Sequence, residues 1–68
     1  MSIKETIKKY RDEIFECKRK LNASDYKALK FAEGELSSLE YAPTLVERRN
    51  LRSQINYLES KIKELKNT

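Results

Sequence analysis

Residues 3–21, IKETIKKYRDEIFECKRKL, and residues 51–65, LRSQINYLESKIKEL, decide the fold of this chain. In both stretches, apolar side chains recur with alternating steps of four and three residues. Such steps place them on one narrow stripe of an α-helix, which is buried only when another helix covers it. Together the two stripes form a predicted core or oligomer seam. Its residues are Ile3, Ile7, Tyr10, Ile14, Cys17 and Leu21, and then Leu51, Ile55, Leu58, Ile62 and Leu65.

The rest of the sequence predicts the same all-α class. One Gly, one Pro and the lack of any run of β-branched residues argue against a sheet. The chain is short enough for one domain, residues 1–68, with helices predicted near 2–21, 24–38 and 43–66. Short connections between them favour an up-down-up three-helix bundle. The alternative is a helical hairpin with coiled-coil-like packing, in which the middle segment is mostly loop.

Capping signals set the first two of these helices. Ser2 and Glu5 fit a capping box at the start of the first helix. Asn, Ser and Asp within residues 22–25 favour turns and caps, so they predict a break there, with Ser24 as the N-cap of the second helix.

Two residues bear on the second connection. Gly34 is unfavourable inside a helix, and the sequence leaves open whether it ends the middle helix. Pro43 suits the first turn of a third helix, where Thr44 and Glu47 form a second possible capping box.

The size of the chain favours self-association. A domain of 68 residues, of which 38% are apolar and 38% charged, has a marginal core of its own. The two stripes also offer more apolar edge than one short middle helix covers. We therefore predict a homo-oligomer formed through the first or third helix.

Basic side chains form two clusters, Lys18-Arg19-Lys20 and Arg48-Arg49 with Arg52. Each is a candidate contact for nucleic acid or an acidic protein, although such clusters are more typical of a solvated helix face. Charge by segment is +3 for residues 1–20, −2 for 21–43 and +3 for 44–68, which gives the net +4. Because the acidic middle segment neutralises part of this field, we expect no nucleic-acid binding at 150 mM salt.

The sequence offers no catalytic or ligand-binding motif. It has no His, a single Cys, no Gly-rich phosphate loop and no metal-ligand pattern, so we predict neither enzyme activity, a cofactor nor a metal. No stretch reaches the roughly 20 apolar residues of a membrane span, and the first residues lack a signal-peptide core. These absences predict a cytoplasmic protein without a membrane partner.

One longer pattern resembles a known group of proteins. It reads [ST]-D-Y-K-x-x-K-x-x-E, a linker, and R-x-x-x-R-x-x-I-N-x-x-E. The matching residues are Ser24, Asp25, Tyr26, Lys27, Lys30 and Glu33, and then Arg48, Arg52, Ile55, Asn56 and Glu59. The pattern is similar to small bacteriophage helical proteins and to the helical segment of phage tail and tail-fibre-associated proteins. The resemblance implies phage or prophage origin, in a bacterial host cell, and a structural helical unit.

Four residues of this pattern suggest a fold-specifying contact. Tyr26 and Lys30 lie one helical turn apart, as do Arg52 and Asn56, so we predict that these four form a polar clasp.

These observations favour a non-enzymatic, phage-derived protein that binds another protein through a helical face. Two roles fit: an assembly or tail accessory factor, and an inhibitor of a host or bacterial defence protein. The alternative is a small basic helical protein that binds nucleic acid.

Overall fold

The fold is a hairpin of two long helices. The computed structural model describes residues 2–67, so Met1 and Thr68 of the predicted domain lie outside the described residues. Helix α1 (Ile3–Ala32) and helix α2 (Ser38–Lys66) are joined by residues 33–37 and pack side by side in a body 47 Å long and 15 Å across. No strand occurs in residues 2–67. The predicted all-α class is confirmed as a helical hairpin, and the three-helix bundle is wrong.

The predicted seam forms the core of this hairpin. Its buried residues are Ile14 and Cys17 of α1 and Leu51, Ile55, Leu58 and Ile62 of α2. Ile7, Tyr10 and Leu21 are half-buried against them, and Leu65 is half-buried near the end of α2. Only Ile3 is largely exposed, at 53%. The two apolar stripes therefore cover each other within one chain.

Two contacts between the helices define the register in which they pack. The Phe31 and Tyr41 rings stack beside the turn, with centroids 4.5 Å apart and planes 6° from parallel. One heptad further from the turn on each helix, Arg48 donates a hydrogen bond to the hydroxyl of Ser24. Equal steps of seven residues along both helices thus lead from one contact to the next, as an antiparallel coiled coil requires.

The predicted break at residues 22–25 is wrong, because α1 runs through it without interruption. Ser24 is no N-cap: its hydroxyl donates to the carbonyl of Leu21 at 3.1 Å and accepts from Arg48. Ser, Asn and Asp are less favourable than Ala in a helix by at most about 0.7 kcal/mol each. Contacts with α2 outweigh that preference, so the middle segment is helix and not the loop of the predicted hairpin.

Gly34 ends the first helix. Its backbone has φ +81°, in the left-handed region that favours glycine. The Gly34 N–H donates to Phe31 O at 3.0 Å, and the Glu35 N–H donates to Lys30 O at 2.8 Å. These two bonds define a Schellman motif, which satisfies the last carbonyls of α1 and reverses the chain.

A capping box starts α2 at Ser38, upstream of the predicted start. The Ser37 hydroxyl accepts from the Glu40 N–H at 3.1 Å, and the Glu40 carboxylate accepts from the Ser37 N–H at 3.0 Å. The Ser37 backbone N–H, followed by its side chain, lowers the pKa of Glu40 below its ordinary value of 4.5. Pro43 consequently lies inside the helix, and the start predicted there is wrong.

The first predicted capping signal is confirmed in part. The Ser2 hydroxyl accepts from the Glu5 N–H at 3.2 Å, which makes Ser2 the N-cap of α1.

Candidate interaction surface

Arg48 links the two helices from inside the seam. The residue is 7% exposed, and its Nη1 donates to Leu21 O at 2.8 Å and to Ser24 Oγ at 2.7 Å. Its Nη2 lies 2.9 Å from the Asp25 carboxylate, which is 59% exposed. A buried guanidinium is tolerated when its donors are bonded in this way. Arg48 therefore belongs to the core contact, and its assignment to an exposed basic cluster is wrong.

The structure does not join the four residues of the predicted polar clasp. Tyr26, Lys30, Arg52 and Asn56 are all exposed, and Tyr26 is 59% accessible. The polar link between the helices instead uses Ser24, Asp25 and Arg48, which belong to the same sequence pattern. Their local sequence favours a turn for the first two and a surface position for the third, so it does not indicate this link.

The heptad register divides the remaining surface into two broad faces. The seam residues Ile14 and Ile55 hold heptad position a, and Cys17 and Leu58 hold position d. In an antiparallel pair, positions e and b of both helices then border one side of the seam, and positions g and c border the other. Leu45 at position e is half-buried beside the seam, as are Glu13 and Lys61 at position g. On the second side, Lys61 also lies 5.5 Å from the centroid of the Tyr57 ring.

The predicted basic clusters are separated by this division. Lys18 lies on the first face together with Arg49 and Arg52 of α2, and all three are exposed. Arg19 points outward and is ion-paired with Glu16 at 3.0 Å. Lys20 lies on the second face.

A different set of basic residues shares the first face, which we call the basic face. Its Lys and Arg residues are Lys4, Lys8, Arg11, Lys18, Arg49, Arg52, Lys63 and Lys66. With Asp25 and Glu59 as its acidic residues, eight positive and two negative side chains give +6. The second face has five of each sign and is neutral. The heptad positions of the charged residues indicate this face from the sequence, whereas the net charges of successive segments do not.

An apolar surface adjoins the basic face at the turn end of the hairpin. We call it the turn-end patch and define it as Leu29, Leu39, Leu45 and Val46. Leu29, Leu39 and Val46 are 61%, 86% and 57% exposed, and Leu45 is half-buried. Leu39 and Val46 are one heptad apart on the outer side of α2, with the exposed Ala42 between them. The patch therefore combines exposed apolar residues of α2 near the turn with Leu29 of α1.

The described part of the chain has no enclosed site. Residues 2–67 form no pocket and no group of three or more His, Cys, Asp or Glu residues that could hold a metal. Cys17, the single thiol, is buried in the seam. No helix within these residues is long and apolar enough to cross a membrane.

Comparison with protein-family models found no match, and searches of curated proteins and of solved structures found none either.

Proposed function

We propose that this protein is a non-enzymatic helical hairpin that acts by binding other proteins through the turn-end patch. The observation that carries the proposal is the exposure of Leu29, Leu39 and Val46, all in the part of the hairpin nearest the turn, on a chain whose seam residues already fill the core. Exposed apolar side chains grouped in one region of a surface are typical of protein interaction sites. Such a patch is unfavourable in water until a partner covers it.

The first partner that we propose is a second copy of the chain. The core of a 68-residue hairpin is thin, and burying the patch of one copy against that of another adds apolar area to it. The predicted homo-oligomer would then form through the turn end, because each seam is already covered by the other helix.

The second partner is a bacterial or phage protein. The resemblance of residues 24–59 to phage helical proteins supports phage origin and a place in the cytoplasm of a bacterial host. Both roles drawn from the sequence remain part of the proposal: assembly or tail accessory factor, and inhibitor of a host or defence protein. Gene neighbourhood separates them, since structural genes and early anti-host genes lie in different blocks.

Light scattering tests the patch directly. The variant Leu39→Glu/Val46→Glu introduces two charges at exposed positions of α2, where Glu is a better helix former than Val. We expect the wild type to associate at tens of micromolar and this variant to be a folded monomer. In pull-downs from a bacterial host, the variant should also lose proteins that the wild type retains.

The matched control is Phe15→Glu/Tyr57→Glu, which makes the same charge change at side chains 67% and 60% exposed, outside the patch. It should associate and bind like the wild type. A monomeric wild type that retains no protein would refute the proposal, as would equal losses in the two variants.

A further inference from the structure

The basic face is accessible, and seven of its eight cations form no ion pair within residues 2–67, while Lys8 is paired with Asp12 at 3.4 Å. Lys18, Arg49 and Arg52 are exposed, and the ion pairs within residues 2–67 include none of them. Of the two carboxylates on this face, that of Asp25 is held by the buried Arg48. Glu59 is therefore the one acidic side chain of the face that is left to oppose its seven unpaired cations.

The field of this face is also directional. The opposite broad face is neutral, and the acidic residues of the turn, Glu33 and Glu35, lie at one end of the hairpin. The net charge of the chain, +4, is therefore smaller than the charge of the basic face that a partner would contact. Summed charges of one sign on one face attract polyanions and speed their association.

The length of the basic face indicates the kind of polyanion. From Lys4 to Lys18, α1 extends about 21 Å, and from Arg49 to Lys66, α2 extends about 26 Å at 1.5 Å per residue. Duplex DNA presents one phosphate charge per about 1.7 Å of its axis over any such length. Protein surfaces usually intersperse charges of both signs, whereas the row of phosphates is unbroken.

The composition of the face favours the same partner over a membrane. Amphipathic segments that bind lipid surfaces bury a continuous apolar face among the acyl chains. Between Lys4 and Lys18, the large apolar side chain on this face is Phe15 alone, and the neighbouring positions on α2 include Asn56. Lys, Arg and Asn are among the side chains that contact phosphate and sugar.

The width of the hairpin determines how it would lie on a duplex. The two helices side by side measure 15 Å, whereas the major groove of B-DNA is about 12 Å wide. The face therefore cannot enter the groove as a unit, and its cations reach the phosphates along the groove edges. Contacts of that kind position a protein without reading sequence.

We propose that the basic face binds the phosphate backbone of duplex nucleic acid, independently of sequence. Two residues of the turn-end patch, Leu29 and Leu45, lie on the same side of the hairpin, but the cations tested here are not part of the patch. Different substitutions therefore test the two proposals.

Fluorescence anisotropy with a labelled 20-base-pair DNA duplex tests the proposal. Wild type should bind at 50 mM salt and weaken steeply toward 200 mM. In Lys18→Gln/Arg49→Gln/Arg52→Gln, loss of three phosphate contacts should reduce the slope of log affinity against log salt by about 2.7. The same change weakens binding about 10²-fold or more at 50 mM salt. A duplex of unrelated sequence should bind equally well.

The matched control is Lys20→Gln/Lys27→Gln/Lys30→Gln, on the neutral face. Both triple variants change exposed residues and lower the net charge from +4 to +1, and circular dichroism confirms that both remain helical. Binding lost only in the first variant supports the proposal. Equal loss in both, no binding at 50 mM salt, or stronger binding to polyglutamate or to phosphatidylserine vesicles would overturn it.

Discussion

Replacing Arg48 tests how the seam tolerates a buried charge. In Arg48→Ala, the guanidinium leaves three partners, yet none of them becomes a buried unsatisfied group. Ser24 still donates to Leu21 O, and the Asp25 carboxylate, 59% exposed, is rehydrated by water. The penalty of about 3–5 kcal/mol for an uncompensated buried charge therefore does not apply.

What remains is the loss of the bonds and of the packed stem. Hydrogen bonds to charged groups contribute about 1.5–3 kcal/mol net, and the desolvation of Arg48 offsets part of this. Together with the cavity left by the stem, we expect Arg48→Ala to lower the free energy of unfolding by about 2–3 kcal/mol. Arg48→Met fills most of that space with an apolar chain and should lower it by less than about 1 kcal/mol.

Urea unfolding followed by circular dichroism measures both variants. Asp25→Asn serves as a control, because a pair with an exposed carboxylate contributes about 0–1 kcal/mol. If Arg48→Met is as destabilising as Arg48→Ala, the charge itself and not the packing stabilises the hairpin. A loss in Asp25→Asn as large as that in Arg48→Ala would mean that the exposed ion pair, and not the buried bonds to Leu21 and Ser24, dominates the contact.

Three further substitutions test the turn and the start of α2. Gly34→Ala should lower the free energy of unfolding in urea by about 1 kcal/mol. The cause is the backbone angle of φ +81°, which is strained for any residue with a Cβ, even though no atom lies within 4 Å of that Cβ. An unchanged midpoint of unfolding would contradict this. Because the pKa of Glu40 is lowered in the folded state, its carboxylate stabilises the folded hairpin above pH 4.5. This stabilisation is lost as the pH falls below 4.5 and through the lowered pKa. Thermal melts of Glu40→Gln, which keeps the capping box, should depend less on pH in that range than the wild type. Pro43→Ala restores a backbone N–H inside α2 and should raise the midpoint of urea unfolding. A lower midpoint would contradict this expectation.

The seam is predictable from the sequence because its period is local. Ile14, Cys17, Ile55 and Leu58 have the spacing of a buried helical stripe, and that spacing needs no knowledge of the partner helix. The helix boundaries require more. Residues 22–25 have the composition of a turn, and the contacts of Ser24 and Asp25 with Arg48 of α2 explain why they are helical.

Two core residues escape sequence prediction for a related reason. Pro43 predicts a helix start and so places Tyr41 in a connection, although the capping box at Ser37 begins the helix earlier. Arg48 is charged, and a charged side chain on a stripe is normally expected to be exposed. Its three oxygen partners on α1 are distant in sequence, so no local pattern identifies them.

The spacing of the basic residues predicts a basic face that the net charge of each segment does not indicate. Lys4, Arg11 and Lys18 are spaced by seven residues, which keeps them on one side of α1 for three successive heptads. The net charge of residues 1–20 also includes carboxylates on other sides of α1, and the negative charge of the middle segment offsets part of the total. In the hairpin that segment is divided among the turn, the Arg48 contact and the capping box. The reason for expecting no nucleic-acid binding is therefore removed by the fold itself.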